Sequence, residues 1–258
     1  MNYTDKVILK EIQTIDGIKI NNRKAVINED NQVLGFVSPR YKIIHNVKLL
    51  DSVTPVLEDL GINTNKPEII STQNGAVTFF KFLTDKVTGE IQKGDIVRFG
   101  IEFFNSYNGS LPVGFHIIAE RLVCTNGLVV PKSITEIHIK HTESANIGNI
   151  RNRIKVYFPK IQSAINLWKE WVEVKPKTNH IQDFLKKSVG KRLQEVFLNK
   201  YNSLPEKKQN LWELYNLLTF AISHKIKTRK PDSLVLKQFN LGEKTANNIV
   251  TFFKQEIE

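Results

Sequence analysis

Few residues in this chain are of a type that does chemistry, and Cys124 is the first to weigh. It is the single cysteine of 258 residues and stands in "AERLVCTNGLVV" (119–130), three places after Arg121 and directly before Thr125-Asn126-Gly127. A cysteine is nucleophilic only as a thiolate, which needs an electropositive, partly exposed setting and a base nearby. His116 is too far upstream for its position to be fixed against the thiol, and Arg121 and Cys124 fall on opposite faces of a regular strand. Cys124 therefore reads as a small buried residue, which leaves Arg121 and the turn that follows as the candidates for function.

The remaining chemistry is thin. His116, His138 and His141 could combine with Glu120 or Glu143 around a metal. However, His138 and His141 point to opposite faces if they share a regular strand, and no H-x-x-x-H, H-E-x-x-H or D-x-D pattern occurs. One cysteine excludes both a four-thiolate zinc site and an internal disulfide. "NLGEKTA" (240–246) lacks the spacing of a phosphate loop and reads as a helix start; it also resembles half of a helix-hairpin-helix module, without the second half. Asp95, Glu102 and Glu120 lie scattered on strands and would form a site only by converging in three dimensions. No catalytic residue, cofactor or metal is expected.

Charge is more informative than motifs. The chain carries a net +11. Residues 1–150 hold 16 Lys+Arg and 16 Asp+Glu, whereas residues 151–258 hold 21 and 10, so the whole excess sits in the second part. A basic segment joined to a neutral one points to a polyanionic partner, most often nucleic acid; a lysine-rich solvated surface is the plainer alternative. The cations cluster as Arg151, Arg153, Lys155; as Lys186, Lys187, Lys191, Arg192; and as Lys225, Lys227, Arg229, Lys230. Heads of this kind neutralise phosphates while their stems cover apolar surface. Tyr107, Tyr157 and Phe158 offer stacking faces to unpaired bases, but most aromatics fall at core positions.

The elements that must position these residues change character along the chain. "KAVINEDNQVLGFVS" reads as a hairpin around Glu29-Asp30-Asn31-Gln32, with "RYKIIHN" extending it. Leu49, Leu50, Val53, Val56, Leu57 and Leu60 have helical spacing, Gly61 suits a C-cap, and Pro55 interrupts. Asn74-Gly75 is a strong hairpin signal and Asn108-Gly109 marks a second turn. Alternation from Val97 to Phe104 indicates a half-buried strand, and 134–140 reads as another. From about Asn149 the pattern is helical, with a kink at Pro159. The expected fold is α+β: a mostly antiparallel curved sheet with a crossing helix over residues 1–148, then a basic helical region over 149–258, packed together as one compact unit. "MNYTDKVILKEIQ" carries charges where a signal peptide needs an apolar run, and no apolar stretch is long enough to span a bilayer. The expected location is the cytoplasm.

Three segments in this order resemble a known family: "LGFVSPRYKIIHN" (34–46), "ERLVCTNGLV" (120–129) with "IKHT" (139–142), and "LWELYNLLTFAISH" (211–224). Together they are similar to the phage/plasmid-like family that carries domain of unknown function 932. Its Arg, Val-Cys, Asn and small-apolar pattern falls on Arg121, Val123-Cys124, Asn126 and Gly127-Leu128, and its later pattern on Trp212, Leu214, Tyr215, Asn216, Thr219 and His224. Thr125-Asn126-Gly127 departs from the Asn-Thr-Leu expected there. The resemblance implies a mobile-element setting and DNA metabolism. In outline the fold is also similar to Rad52-like single-strand annealing proteins, which implies an oligomer.

The combined expectation is a nucleic-acid-binding protein without a chemical step, acting on single-stranded DNA in recombination, annealing, repair or replication. Arg121, Lys140, His141, Arg151, Arg153 and Lys155 are the expected phosphate contacts around the sheet-to-helix junction, with Lys187, Lys191 and Arg192 beyond them. Asn126 would contact backbone or cap the turn. The rivals are a metal-dependent nucleic-acid-processing enzyme and a host-takeover factor whose basic face meets an acidic protein.

Overall fold

A computed structural model describes residues 5–122, 127–130, 138–142, 146–226 and 234–254, and of residues 191–193 and 196 the backbone alone. Turn chemistry organises its first part. Strands β1 (Val7–Gln13), β2 (Lys19–Asn28) and β3 (Val33–Val37) form an antiparallel three-stranded sheet in that order. The β2–β3 turn is tied by Asn28, whose Oδ1 accepts from Asp30 N–H at 3.1 Å and Gln32 N–H at 2.8 Å, while Asn31 takes φ 59°. Asparagine at the first position supplies this bracing. The sheet's inner face places Val7, Val26, Leu34 and Val37 in one cluster with Ala76 and Tyr107. Ile8, Val33 and Phe36 remain exposed.

A second sheet is ordered β4-β5-β6-β7-β8, from β4 (Glu68–Thr72), β5 (Val77–Gln92), β6 (Asp95–Ser106), β7 (Val113–Arg121) and β8 (Gly127–Val129), with β9 (His138–Ile139) also paired to β7. Asn74-Gly75 makes the β4–β5 turn as expected; Gln73, Asn74 and Gly75 all have positive φ. Of the expected strand 134–140, His138 and Ile139 are strand, and residues 134–137 lie outside the described residues.

Helix α1 (Asn46–Asp59) buries Leu49, Val53, Val56 and Leu57 and contains Pro55 without breaking. The lost backbone bond is offset by the buried apolar stripe. Gly61, at φ 73°, closes the helix by donating from its N–H to Glu58 O at 2.8 Å. Helix α2 (Gly148–Tyr157) leads into a 3-10 turn at Phe158–Lys160 that carries Pro159, and then into α3 (Ile161–Glu173). After these come α4 (Thr178–Ser188), α5 (Lys191–Asn202), α6 (Leu211–His224) and α7 (Leu234–Phe252). The fold is thus α+β, with curled antiparallel sheets first and helices after. "NLGEKTA" proves to be the interior of α7 rather than a helix start. Among the described residues, no helix is long and apolar enough to cross a membrane.

The chain divides into two compact units that interleave along the sequence. Unit 1 is Met1–Thr84, Gly100–His116 and Glu136–Val156; unit 2 is Asp85–Phe99, Ile117–Thr135 and Tyr157–Glu258. The core of unit 2 is aromatic: Trp168 stacks on Phe99 at 5.6 Å, and Trp171 meets Tyr215 edge-on at 5.4 Å.

In unit 1, "RYKIIHN" does not extend the hairpin. Residues 38–45 are irregular; their backbone is satisfied by single remote bonds, such as Lys42 N–H to His141 O and Asn105 Nδ2 to Ile44 O, rather than by a strand ladder. Asn105 Nδ2 donates to Ile44 O at 2.7 Å and to Asn46 Oδ1 at 2.8 Å, and Asn46 N–H donates to Tyr107 OH at 3.1 Å. These groups are buried, so losing one partner exposes the desolvation cost of the other. Asn105→Ala should lower the stability of the protein by about 1–3 kcal/mol, read as a shift in the urea midpoint at unchanged slope.

Candidate functional site

Three remote segments of unit 1 meet around a groove of about 530 Å³. β2 supplies Arg23, and β3 with the irregular stretch after it supplies Phe36 and Tyr41. The residues after β9 supply Lys140 and His141, and the turn at 108–112 closes the groove. Glycine is favoured at two places on this rim, by close packing at Gly35 and by a left-handed backbone at Gly109. A side chain at Gly35 would run into Asn108, and Gly109, at φ 73°, lies against the Tyr41 ring. Among the described residues, no Asp or Glu borders the groove.

The side chains divide into a braced set and a free set. Tyr41 is braced: its hydroxyl donates to Ser106 O at 2.6 Å and its ring lies on His141, centroids 4.7 Å apart at 18°. Burial pushes the Tyr41 hydroxyl well above its ordinary range. His141 Nδ1–H donates to Lys42 O at 3.2 Å, and Lys42 N–H donates back to His141 O at 3.2 Å. Burial pulls the His141 imidazole down to about 4 against that hydrogen bond, so it is neutral at physiological pH. Arg23 and Lys140 are exposed and form no ion pair among the described residues. Phe36 is 57% exposed on the same groove. Leaving such a ring in water forgoes about 1.5–3 kcal/mol of burial.

The structure gathers Lys140 and His141 of the expected site residues into this groove and adds Arg23 and Phe36, which sequence reasoning missed. His141 is there as neutral support behind Tyr41 rather than as a charge. His138 also borders the groove: β9 ends at Ile139, so strand alternation does not separate it from His141. Arg151, Arg153 and Lys155 are exposed on α2 in the same unit. Arg151 and Lys155 lie one turn apart on one flank of the buried Ile150–Ile154 stripe, with Arg153 on the other. Lys155 faces Asp59 at 3.9 Å.

Lys187, Lys191 and Arg192 belong to unit 2. The Lys187 ammonium sits 4.7 Å from the centre of the Phe252 ring; Lys191 and Arg192 open α5, and their side chains lie outside the described residues. Asn126 and Cys124 also lie outside them.

Arg121, also in unit 2, has a different occupation. At the end of β7 its Nε and Nη2 each donate to Asp95 at 2.6 Å, and Nη2 reaches Glu213 Oε1 at 3.3 Å. Asp95 also accepts from Trp212 Nε1 at 2.8 Å and from Gln92 Nε2 at 3.2 Å. Burial pushes the Asp95 carboxyl up, but Arg121, Trp212 and Gln92 outweigh it and hold the carboxyl below its usual range. With side-chain exposures of 12% for Arg121 and 5% for Asp95, this is a buried ion pair, and its guanidinium fork is engaged inside the protein. Glu120 is held by a different arginine, Arg98, at 2.7 Å. Glu102 in unit 1 is pushed up by burial, countered by His116 and Lys81.

With this geometry in place, the chain can be compared with known proteins. The family model described as Domain of unknown function (DUF932) matches residues 33–240. The chain belongs to this family. No curated protein and no solved structure matches it. The DUF932 span takes in Phe36, Tyr41, Lys140 and His141 of the groove and the whole Arg121–Asp95–Glu213 cluster, but Arg23 lies before it.

Two measurements check these assignments. Arg121→Met leaves two buried carboxylates without their cation and should cost about 3–5 kcal/mol of stability, seen in chemical denaturation. His141 is bound neutral, with its folded pKa below its unfolded value. The unfolded chain therefore takes up the extra proton, and stability should fall as pH drops from about 7 to about 4, by at most about 3 kcal/mol. His141→Phe, which keeps a flat ring on Tyr41, should flatten that part of the pH–stability curve.

Proposed function

We propose that the chain is a non-enzymatic nucleic-acid-binding protein that takes single-stranded DNA through the groove of unit 1. The observation that carries this reading is that an exposed Phe36 ring and two cations, Arg23 and Lys140, line one groove and that, among the described residues, neither cation has an ion pair and no carboxylate borders the groove. Single strands present stackable bases and a regular row of phosphates, and the proteins that hold them combine aromatic platforms with positive grooves. Tyr41, braced by Ser106 and His141, is a rigid wall beside Phe36. Arg151, Arg153 and Lys155 provide further cations on the same unit. A role in recombination, annealing, repair or replication is part of this proposal; it is supported by the resemblance of three segments to mobile-element proteins and, in outline only, to Rad52-like annealing proteins.

The reading is tested by titrating the chain with a fluorescent single-stranded oligonucleotide at several salt concentrations. Affinity should fall linearly on a log–log plot, and Arg23→Ala and Lys140→Ala should each reduce the slope by about 0.7. Phe36→Ala should weaken binding by about 1–3 kcal/mol at an unchanged slope. No binding at low salt, or a triple variant that binds like the parent, would overturn the reading.

A further inference from the structure

Unit 2 holds a second cavity, of about 320 Å³, that the nucleic-acid reading does not use. It lies among the helices where α4 ends and α5 begins, with α6 and α7 completing it. Val189, Phe197, Ile222, Ile226 and Leu241 make its walls apolar. Its size is at the small end of ligand pockets, which run from about 300 to 1,000 Å³ and are typically apolar with a few placed polar groups.

The polar side chains at this cavity are two hydroxyls, Ser188 and Thr245, and two cations, Lys225 and Lys237. Ser188 borders it at 5% exposure, and its hydroxyl has no hydrogen-bond partner among the described residues. A buried hydroxyl without a partner is rare in native proteins and calls for a group to fill its place. Gly190, also on the cavity, is the N-cap of the 12-residue α5 and offers no side-chain cap to the first N–H groups of that helix. Lys225 and Lys237 border the cavity and are exposed; among the described residues neither has an ion pair, Lys225 being 5.9 Å from the centre of the Phe220 ring, and no Asp or Glu borders the cavity. Two acceptors at the α6 end are taken: Gln238 Nε2 donates to Ile222 O and Ser223 O, both at 3.0 Å.

From this arrangement we propose that unit 2 binds a small amphiphilic anion, an alkyl chain with a single anionic head. The chain lies along Phe197, Ile222 and Leu241. The head is held by the Ser188 hydroxyl, the start of α5, Lys225 and Lys237. A nucleotide fits less well, because a cavity of about 320 Å³ with walls of Val189, Phe197, Ile222, Ile226 and Leu241 suits a short alkyl chain better than a base and a sugar. The proposal is independent of the groove in unit 1.

Isothermal titration of the full chain with octanoate, octyl phosphate and octanol tests it, and the two anions report which head the site prefers. At least one anion should bind one to one, with octanol about tenfold weaker or more, and Lys225→Ala with Lys237→Ala should remove about tenfold of the anion's affinity. Leu241→Trp, which fills the cavity, should abolish binding of every probe. The lysine variants alter exposed positions only, so they keep the test decisive if the tryptophan variant fails to fold. Failure of both anions to saturate, octanol binding as tightly as the anions, or lysine variants that bind like the parent would overturn the proposal.

Discussion

The groove of unit 1 depends on one reciprocal contact. Lys42 and His141 are 99 positions apart, yet each donates a hydrogen bond to the other's backbone carbonyl. That exchange fastens the irregular stretch after β3 to the residues after β9, where no strand pairing reaches. The wall of the groove made by Tyr41 and His141 inherits its position from it. The His141 ring is held flat, Tyr41 lies on the ring, and the Tyr41 hydroxyl ties the assembly to the end of β6. The imidazole can do this only while neutral, since a charged ring in that setting would have to be solvated. The residue that braces the groove therefore cannot also supply its charge.

Unit 2 shows the complementary use of charge. Arg121 is surrounded by Asp95, Glu213, Gln92 and the Trp212 indole, and every polar partner in this set is hydrogen-bonded. A buried pair of this kind adds little net stability over an apolar substitute, but it is costly to break from one side. It fixes the register of the β7 end against the first turn of α6. A basic composition therefore overstates the charge available to a partner: some cations, such as Arg121, are consumed internally, and Lys187 is turned over an aromatic ring.

Much of the fold was legible because its signals are local. Asn28 and Asn74-Gly75 brace their turns within a few residues, the α1 stripe has its own period, and Pro159 produces a 3-10 turn where a kink was expected. Misreadings came where distant partners override local pattern. Residues 38–45 look like strand, but Asn105 and Ser106 satisfy them from some 60 positions away. "NLGEKTA" looks like a helix start, yet Gly242 sits beside Val129 of β8 and the helix runs straight through. Arg121 was expected at the surface because its partners Asp95 and Glu213 stand 26 and 92 positions away. Lys140 was found from its place in a basic, polar connection. Arg23 and Phe36 were not, because nothing in "NNRKAV" or "LGFVS" says that the outward residues of two strands will face a turn 70 or more positions later.

The position of Arg23 has an evolutionary consequence. The family match begins at residue 33, inside the three-stranded sheet, so β1 and β2 stand outside it while β3 is within. The groove thus has a wall drawn from the matched residues, with Phe36, Tyr41 and Lys140, and a wall drawn from a hairpin that lies before them. Exchanging that hairpin would change the sign or reach of the rim charge and leave the aromatic wall intact. Such a chain could retune what it holds by grafting one local, self-braced piece, without disturbing the Lys42–His141 fastening on which the rest of the groove is built.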